Sequence, residues 1–100
     1  MIEVQPLHLK EGTALAVTVR LPKTTLLAVT TDKGYIMCGA LDVGLLNERL
    51  ASREILAGRA VGVKTIDELL NAPLESVTHT AEAIGITVGT IGLDAVRKMF

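Results

Sequence analysis

The apolar residues of this chain change their spacing near Asp42. Between residues 13 and 21, Leu15, Val17 and Val19 alternate with small or polar residues, a period of two that places one row on a core face and the other nearer water. Beyond Asp42 the apolar residues recur three and four positions apart, the spacing of one helix face. We therefore predict a single α+β domain over residues 1–100, in which three or four helices pack on an antiparallel or mixed sheet of four to five strands.

Turn residues divide the first part of the chain into strands. Segments 25–31 and 35–41 flank Asp32-Lys33-Gly34, a loop that predicts an antiparallel hairpin with its glycine at positive φ. Segment 35–41 carries scarcely any polar residue, so we place it near the middle of the sheet, covered on both faces. In the first segment the apolar positions change phase at Pro6, which predicts a strand that is bent or lies at the sheet edge.

Capping residues predict where the helices begin. Asp42 is a favourable N-cap for a helix that turns Val43, Leu46 and Leu50 inward. Thr65-Ile66-Asp67-Glu68 matches the capping box, in which the threonine hydroxyl and the glutamate carboxylate satisfy amide groups at the helix start. The remaining predictions are a strand over 60–64, a helix from Pro73 to Ile84 that Gly85 ends, and a helix from Thr90 to Lys98.

The charge balance and the scarcity of aromatic residues argue against two classes of binding partner, nucleic acids and membranes. Ten basic and eleven acidic residues give a net charge of -1, which leaves no excess of positive charge to neutralise phosphates or anionic lipids. Tyr35 and Phe100 are the only aromatic residues, too few to stack against the bases of a single strand. We therefore predict neither a nucleic-acid partner nor a membrane partner.

The number of cysteines indicates the cellular compartment and limits the kinds of metal site that the chain can form. Cys38 is the only cysteine, which excludes an internal disulfide and a zinc site built on paired thiolates, and favours a reducing compartment. The first residues lack the basic and apolar regions of a signal peptide. Glu75 and His79 stand four residues apart, but two side chains do not make a metal site. We predict a cytoplasmic protein without a metal or a cofactor.

Four side chains near the junction of the fourth predicted strand and the first predicted helix are the candidates for chemistry. Cys38 is either a nucleophile or, as is usual in an apolar strand, a small core residue. Asp42 is either an N-cap or a carboxylate that holds a polar ligand. Asn47 and Arg59 are either surface groups or members of a polar rim in which Arg59 pairs with a carboxylate such as Asp42.

Long stretches of the chain resemble a known family. They are Lys33-Gly34-Tyr35-Ile36-Met37-Cys38-Gly39-Ala40-Leu41-Asp42 with Leu46-Asn47, then residues 58–70 with the sequence GRAVGVKTIDELL, and residues 72–78 with the sequence APLESVT. These strings are similar to those of the YunC-like family of small bacterial and archaeal proteins of unknown function. The resemblance implies a compact single α+β domain and assigns no activity and no catalytic residue.

Two functions of different classes fit these observations. The leading hypothesis is a non-enzymatic protein that associates with itself as a homo-oligomer, in the simplest case a dimer, or with another protein. Its support is the incomplete catalytic constellation and the 49% of apolar residues in so short a chain. The sheet edge and the small residues around Gly58 and Gly62 are its predicted interface. The alternative is a small-molecule or weak enzymatic site formed by Cys38, Asp42, Asn47 and Arg59.

Overall fold

A computed structural model describes residues Met1 to Phe100 and contains one sheet whose six strands lie side by side in chain order. Every neighbouring pair is antiparallel except β4 and β5, which are parallel. The α+β class is confirmed, and the strand count exceeds the predicted four to five because the last strand has only two residues, too few to show a period. The strands are β1 (Ile2–Leu9), β2 (Gly12–Leu21), β3 (Thr24–Thr30), β4 (Gly34–Met37), β5 (Leu56–Arg59) and β6 (Ser76–Val77).

Four short helices and one 3-10 turn, Ala51–Arg53, complete the fold. The N-caps predicted at Asp42 and Thr65 are confirmed, but the other half of the predicted capping box is not, because Oε1 of Glu68 accepts from the Lys64 amide and not from the Thr65 amide. Oδ1 of Asp42 accepts from the Leu45 amide at 3.0 Å, and Oγ1 of Thr65 accepts from the Glu68 amide at 3.1 Å. No helix has the length and apolar character needed to cross a membrane. The helices are α1 (Val43–Glu48), α2 (Ile66–Asn71), α3 (His79–Ala83) and α4 (Gly92–Arg97).

The predicted helix from Pro73 to Ile84 is wrong in its first half. The Leu74 amide donates to the carbonyl of Thr90 at 2.8 Å, and the Glu75 amide donates to the carbonyl of Arg59 at 2.7 Å. These long-range bonds hold the segment extended as β6, so the helix begins only after Thr78, whose hydroxyl accepts from the Ala81 amide. Its predicted end at Gly85 is confirmed by a φ of +88° at that glycine.

Two further predicted boundaries and one predicted backbone conformation differ from the structure. The strand predicted at 60–64 lies instead at Leu56–Arg59, where it pairs with β4. The last helix begins at Gly92 and not beside Thr90, whose hydroxyl accepts from the Thr87 amide. Gly34 does not have positive φ; a glycine is required there because a Cβ atom would lie 2.5 Å from the carbonyl oxygen of Leu56.

The two faces of the sheet are covered unequally. One face carries the buried row Ala16, Val29 and Ile36, which are in register across β2, β3 and β4 and belong to the main core. α2 and α4 pack against these strands, and the core residues that they supply are Leu69, Leu70, Ala95 and Val96. On the opposite face, α1 packs against β5, where Ala57 is buried.

Gly92 and Gly44 both lie in helices, and the packing predicts opposite effects when each becomes alanine. A Cβ atom at Gly92 would clash with the carbonyl oxygen of Leu69, so Gly92→Ala pushes α4 away from α2 and lowers the free energy of unfolding by about 1–3 kcal/mol. A Cβ atom at Gly44 would meet only Oδ1 of Asp42, at 3.4 Å. Gly44→Ala therefore raises the free energy of unfolding by up to about 1 kcal/mol.

Denaturant unfolding of both variants measures this difference. Changes of the same sign at the two positions would contradict the packing of α4 against α2.

Candidate functional site

Cys38 lies at the end of β4, inside the main core. Its side chain is 6% exposed, its amide donates to the carbonyl of Leu27 at 3.1 Å, and its Sγ accepts from the Leu27 amide at 3.4 Å. The thiol thus lies against the neighbouring strand on the helix-covered side of the sheet. This position gives it the contacts of a packed side chain and no basic neighbour within hydrogen-bond distance.

Asp42 and Asn47 both bind backbone amides at helix starts. Asp42 caps its own helix, α1, through the Leu45 amide. Oδ1 of Asn47 accepts from the amide of His79 at 2.9 Å, 32 residues further along the chain. Asn47 therefore joins α1 to the first residue of α3. Local sequence patterns do not predict this role, because the partner is 32 residues away along the chain.

Arg59 lies at the end of β5, next to Gly39. Its Nη1 is 3.6 Å from Oε2 of Glu75, so the carboxylate that it faces is Glu75 and not Asp42. Its Nη2 lies 3.6 Å from the point where a Cβ atom of Gly39 would be. Its Nε is buried and makes no hydrogen bond, the kind of unpaired group that native proteins seldom retain without a reason.

Cys38 and Arg59 lie at the same end of the β4–β5 pair, whereas Asn47 contacts His79, which follows β6 toward the start of β5, so the four residues do not converge and each has its own contact. The side chains of Cys38, Asp42 and Asn47 each accept a backbone hydrogen bond, and Arg59 faces Glu75. No group of three histidine, cysteine, aspartate or glutamate side chains converges on a point that could hold a metal ion. Nε of Arg59 is the one buried side-chain nitrogen or oxygen that has no hydrogen-bond partner.

A second surface emerges only in the structure. Strand register places Val4, Val17, Ala28 and Met37 in one row on the face opposite the main core. Ile2 is 68% exposed, Val4 55%, and Leu15 and Leu21 each 45%. We call this surface the open face and define it by the residues of β1 to β4 whose side chains share that side: Ile2, Val4, Pro6, His8, Thr13, Leu15, Val17, Val19, Leu21, Thr24, Leu26, Ala28, Thr30, Tyr35 and Met37.

The open face is mainly apolar: its polar residues are His8, Thr13, Thr24, Thr30 and Tyr35, and it carries no lysine, arginine, aspartate or glutamate. On β2 this face carries Leu15, Val17, Val19 and Leu21, whereas the buried residues of the opposite row are only Ala14 and Ala16. A contiguous exposed apolar patch is uncommon on a monomer and marks a surface that binds something. The alternation in β2 is visible in the sequence. The size of the side chains, however, favours the row of Leu15, Val17 and Val19 as the core row, and the structure buries Ala14 and Ala16 instead.

The edge strand β1 is less suited to pairing than its length suggests. Met1 and Arg20 exchange two backbone hydrogen bonds. Because hydrogen-bonded pairs alternate in an antiparallel ladder, the backbone N–H and C=O groups of the odd-numbered β1 residues point to β2, and those of the even-numbered residues point to the free edge. Pro6 is thus an outward position, where its lack of an amide hydrogen leaves the β1–β2 ladder intact. The same absence removes a donor from the middle of the free edge.

These features together describe a small α+β protein with a mixed sheet, helices mainly on one face, and an uncovered apolar surface on the other. Residues 37–99 match the family described as a domain of unknown function, DUF1805, and the chain belongs to this family.

Two relatives extend the match over the whole chain. The chain is 60% identical over 99 residues to the uncharacterised protein YunC of Bacillus subtilis strain 168, a match that spans 99% of this chain and 98% of that protein. The crystal structure of a protein of unknown function, TA1206 from Thermoplasma acidophilum, is similar with a TM-score of 0.89 at 26% identity. That match spans 100% of this chain and 94% of the other. The resemblance to a YunC-like family is confirmed.

The contact between Asn47 and His79 predicts a structural effect. Asn47→Ala removes the acceptor of the His79 amide and lowers the free energy of unfolding by about 1 kcal/mol, as for other lost helix caps. Asn47→Asp keeps an oxygen acceptor and serves as the matched control. Denaturant unfolding compares the two variants, and an unchanged midpoint in Asn47→Ala combined with loss of cellular function would instead identify Asn47 as a binding residue.

The burial of Cys38 predicts slow reaction with a thiol reagent in the native protein and fast reaction after denaturation. Ser52→Cys places a second thiol on the exposed 3-10 turn and serves as the control for reagent activity. Peptide mass spectrometry distinguishes the two positions in one sample. Equal rates at Cys38 and at the introduced cysteine in the native state would make Cys38 a reactive thiol.

Proposed function

We propose that this protein acts in the cytoplasm through self-association, without catalysing a reaction, and that the open face is its interface. The observation that carries this proposal is the uncovered row of aliphatic side chains on β1 and β2. Burial of apolar surface is the dominant favourable contribution to most protein association. The two interfaces predicted from the sequence are less suitable, because Pro6 interrupts the edge and Gly58 packs against Leu74 inside the protein.

The size of the open face favours a reversible dimer. Four strands about 4.8 Å apart and about six residues at 3.3 Å each span a surface of roughly 400 Å² in projection. Stable specific interfaces bury about 800 Å² of accessible surface on each partner. The open face is smaller in projection than this typical area, so the expected interface is small and the dimer dissociates on dilution.

The chemistry of the open face favours a second copy of the chain over a different protein. An uncharged face presents no charge for a different partner to complement and no charge that repels its own copy. The net charge of -1 adds almost no long-range repulsion between copies. A two-fold axis through the face makes every apolar residue meet an equivalent surface, the commonest solution for homo-oligomers.

A small-molecule or weak enzymatic site at the β4–α1 junction is the second candidate function. The unpaired, buried Nε of Arg59 beside Gly39 supports it, because such a donor is satisfied when a ligand supplies an acceptor. The other three predicted site residues already have intramolecular contacts. The open face has the broader support, since several residues of four strands contribute to it.

Replacing one residue of the open face by lysine tests the interface. Analytical ultracentrifugation of the wild type is expected to show a mass that rises with concentration toward twice 10.6 kDa. Leu15→Lys introduces a charge that the dimer would bury without a partner, so the dissociation constant rises about 100-fold or more. The lysine head group reaches water in the monomer, and its thermal midpoint remains close to that of the wild type.

Val88→Lys is the matched control, because Val88 is 65% exposed and lies outside the sheet. This variant is expected to dimerise like the wild type. A wild-type mass that stays at the monomer value across all concentrations would refute self-association, and equal weakening by both lysine variants would refute the open face as its location.

A further inference from the structure

A cleft of about 550 Å³ lies between the β2–β3 turn and the segment that precedes α2. Arg20, Lys23 and Lys64 supply three cationic side chains to its wall, and none of its seven lining residues is acidic. Clefts with charges of one sign concentrate the electrostatic field and attract ligands of the opposite sign. This cleft is separate from the junction that contains Cys38, Asp42, Asn47 and Arg59.

The polar groups of the cleft are largely unused by the protein itself. Lys23 and Lys64 form no ion pair, and the hydroxyls of Thr24 and Thr25 make no hydrogen bond. Arg20 is the exception, since its guanidinium binds the carboxylate of Glu3. Two ammonium groups and the hydroxyl of Thr25, which lies on the same side of the sheet as Arg20, therefore remain as free hydrogen-bond donors around one space.

The backbone holds one of these cations in an uncommon conformation. Lys23 has a φ of 61° between two paired strands, the left-handed region that residues other than glycine seldom adopt. The turn places Lys23 beside Thr24 and Thr25, which start β3. The opposite wall is Val63 and Lys64, whose position is held by the hydrogen bond from the Lys64 amide to Oε1 of Glu68.

We propose that this cleft binds a small, multiply charged oxyanion of the phosphate class. Lysine ammonium groups bind phosphate oxygens as point charges, and the Thr25 hydroxyl adds a donor to a remaining oxygen. Leu21 and Val63 are the only apolar residues of the wall, and no aromatic side chain lines it. The cleft therefore suits a compact anionic group and offers no surface on which a nucleic-acid base could stack.

Pyrophosphate titrated into the full chain, in a buffer of low salt without other phosphate, tests the site. Amide NMR shifts are expected at Lys23, Thr24, Thr25 and Lys64. The double variant Lys23→Gln with Lys64→Gln removes two of the three cations, so calorimetry should give a dissociation constant about tenfold or more above that of the wild type.

Lys10→Gln with Lys33→Gln is the matched control. It changes the net charge equally, at the turns on the opposite end of the sheet, and should leave the affinity within about twofold of the wild type. Equal weakening in both double variants would overturn the proposal, because pyrophosphate would then respond only to net charge. The absence of wild-type shifts at these four residues with millimolar pyrophosphate would overturn it as well, whether or not the variants fold.

Discussion

The parallel pairing of β4 with β5 is the constraint on which the rest of the structure depends. Hairpin turns connect the first four strands, but two parallel neighbours need a crossover, and residues 38–55 provide it. This crossover contains Cys38, Asp42, Asn47 and α1. Because α1 packs against β5, it covers only that end of the second face and leaves the part formed by β1 to β4 uncovered. The predicted site and the open face thus both follow from one topological choice.

Much of the fold could be predicted from the sequence where the signal is local. Alternation located β2, and the hydroxyl and carboxylate caps at Thr65 and Asp42 located two helices. The prediction was wrong where remote hydrogen bonds decide the conformation, as at Leu74, whose amide is bound by Thr90. Apolar spacing alone favours a helix there, and tertiary pairing overrides it.

The candidate site and the open face differ in how far the sequence could reveal them. The residues of the junction were named from their chemistry, but the acceptor role of Asn47 toward His79 depends on a contact across 32 residues. For the open face, residue size was misleading. The buried residues of β2 are Ala14 and Ala16 because the strand is closely packed there, and Gly12 next to them has no room for a Cβ atom beside the ring of Phe100. The larger aliphatic side chains of β2 therefore lie on the other face, where Leu15 and Leu21 remain exposed.

Pro6 affects whether further strands can add to the free edge of the sheet. A sheet with a complete free edge can accept another strand, and then another, so that growth has no natural limit. The outward-facing proline removes one donor from that edge and makes such growth less favourable. In the proposed dimer each copy covers the open face of the other, so assembly through that face would end with two copies.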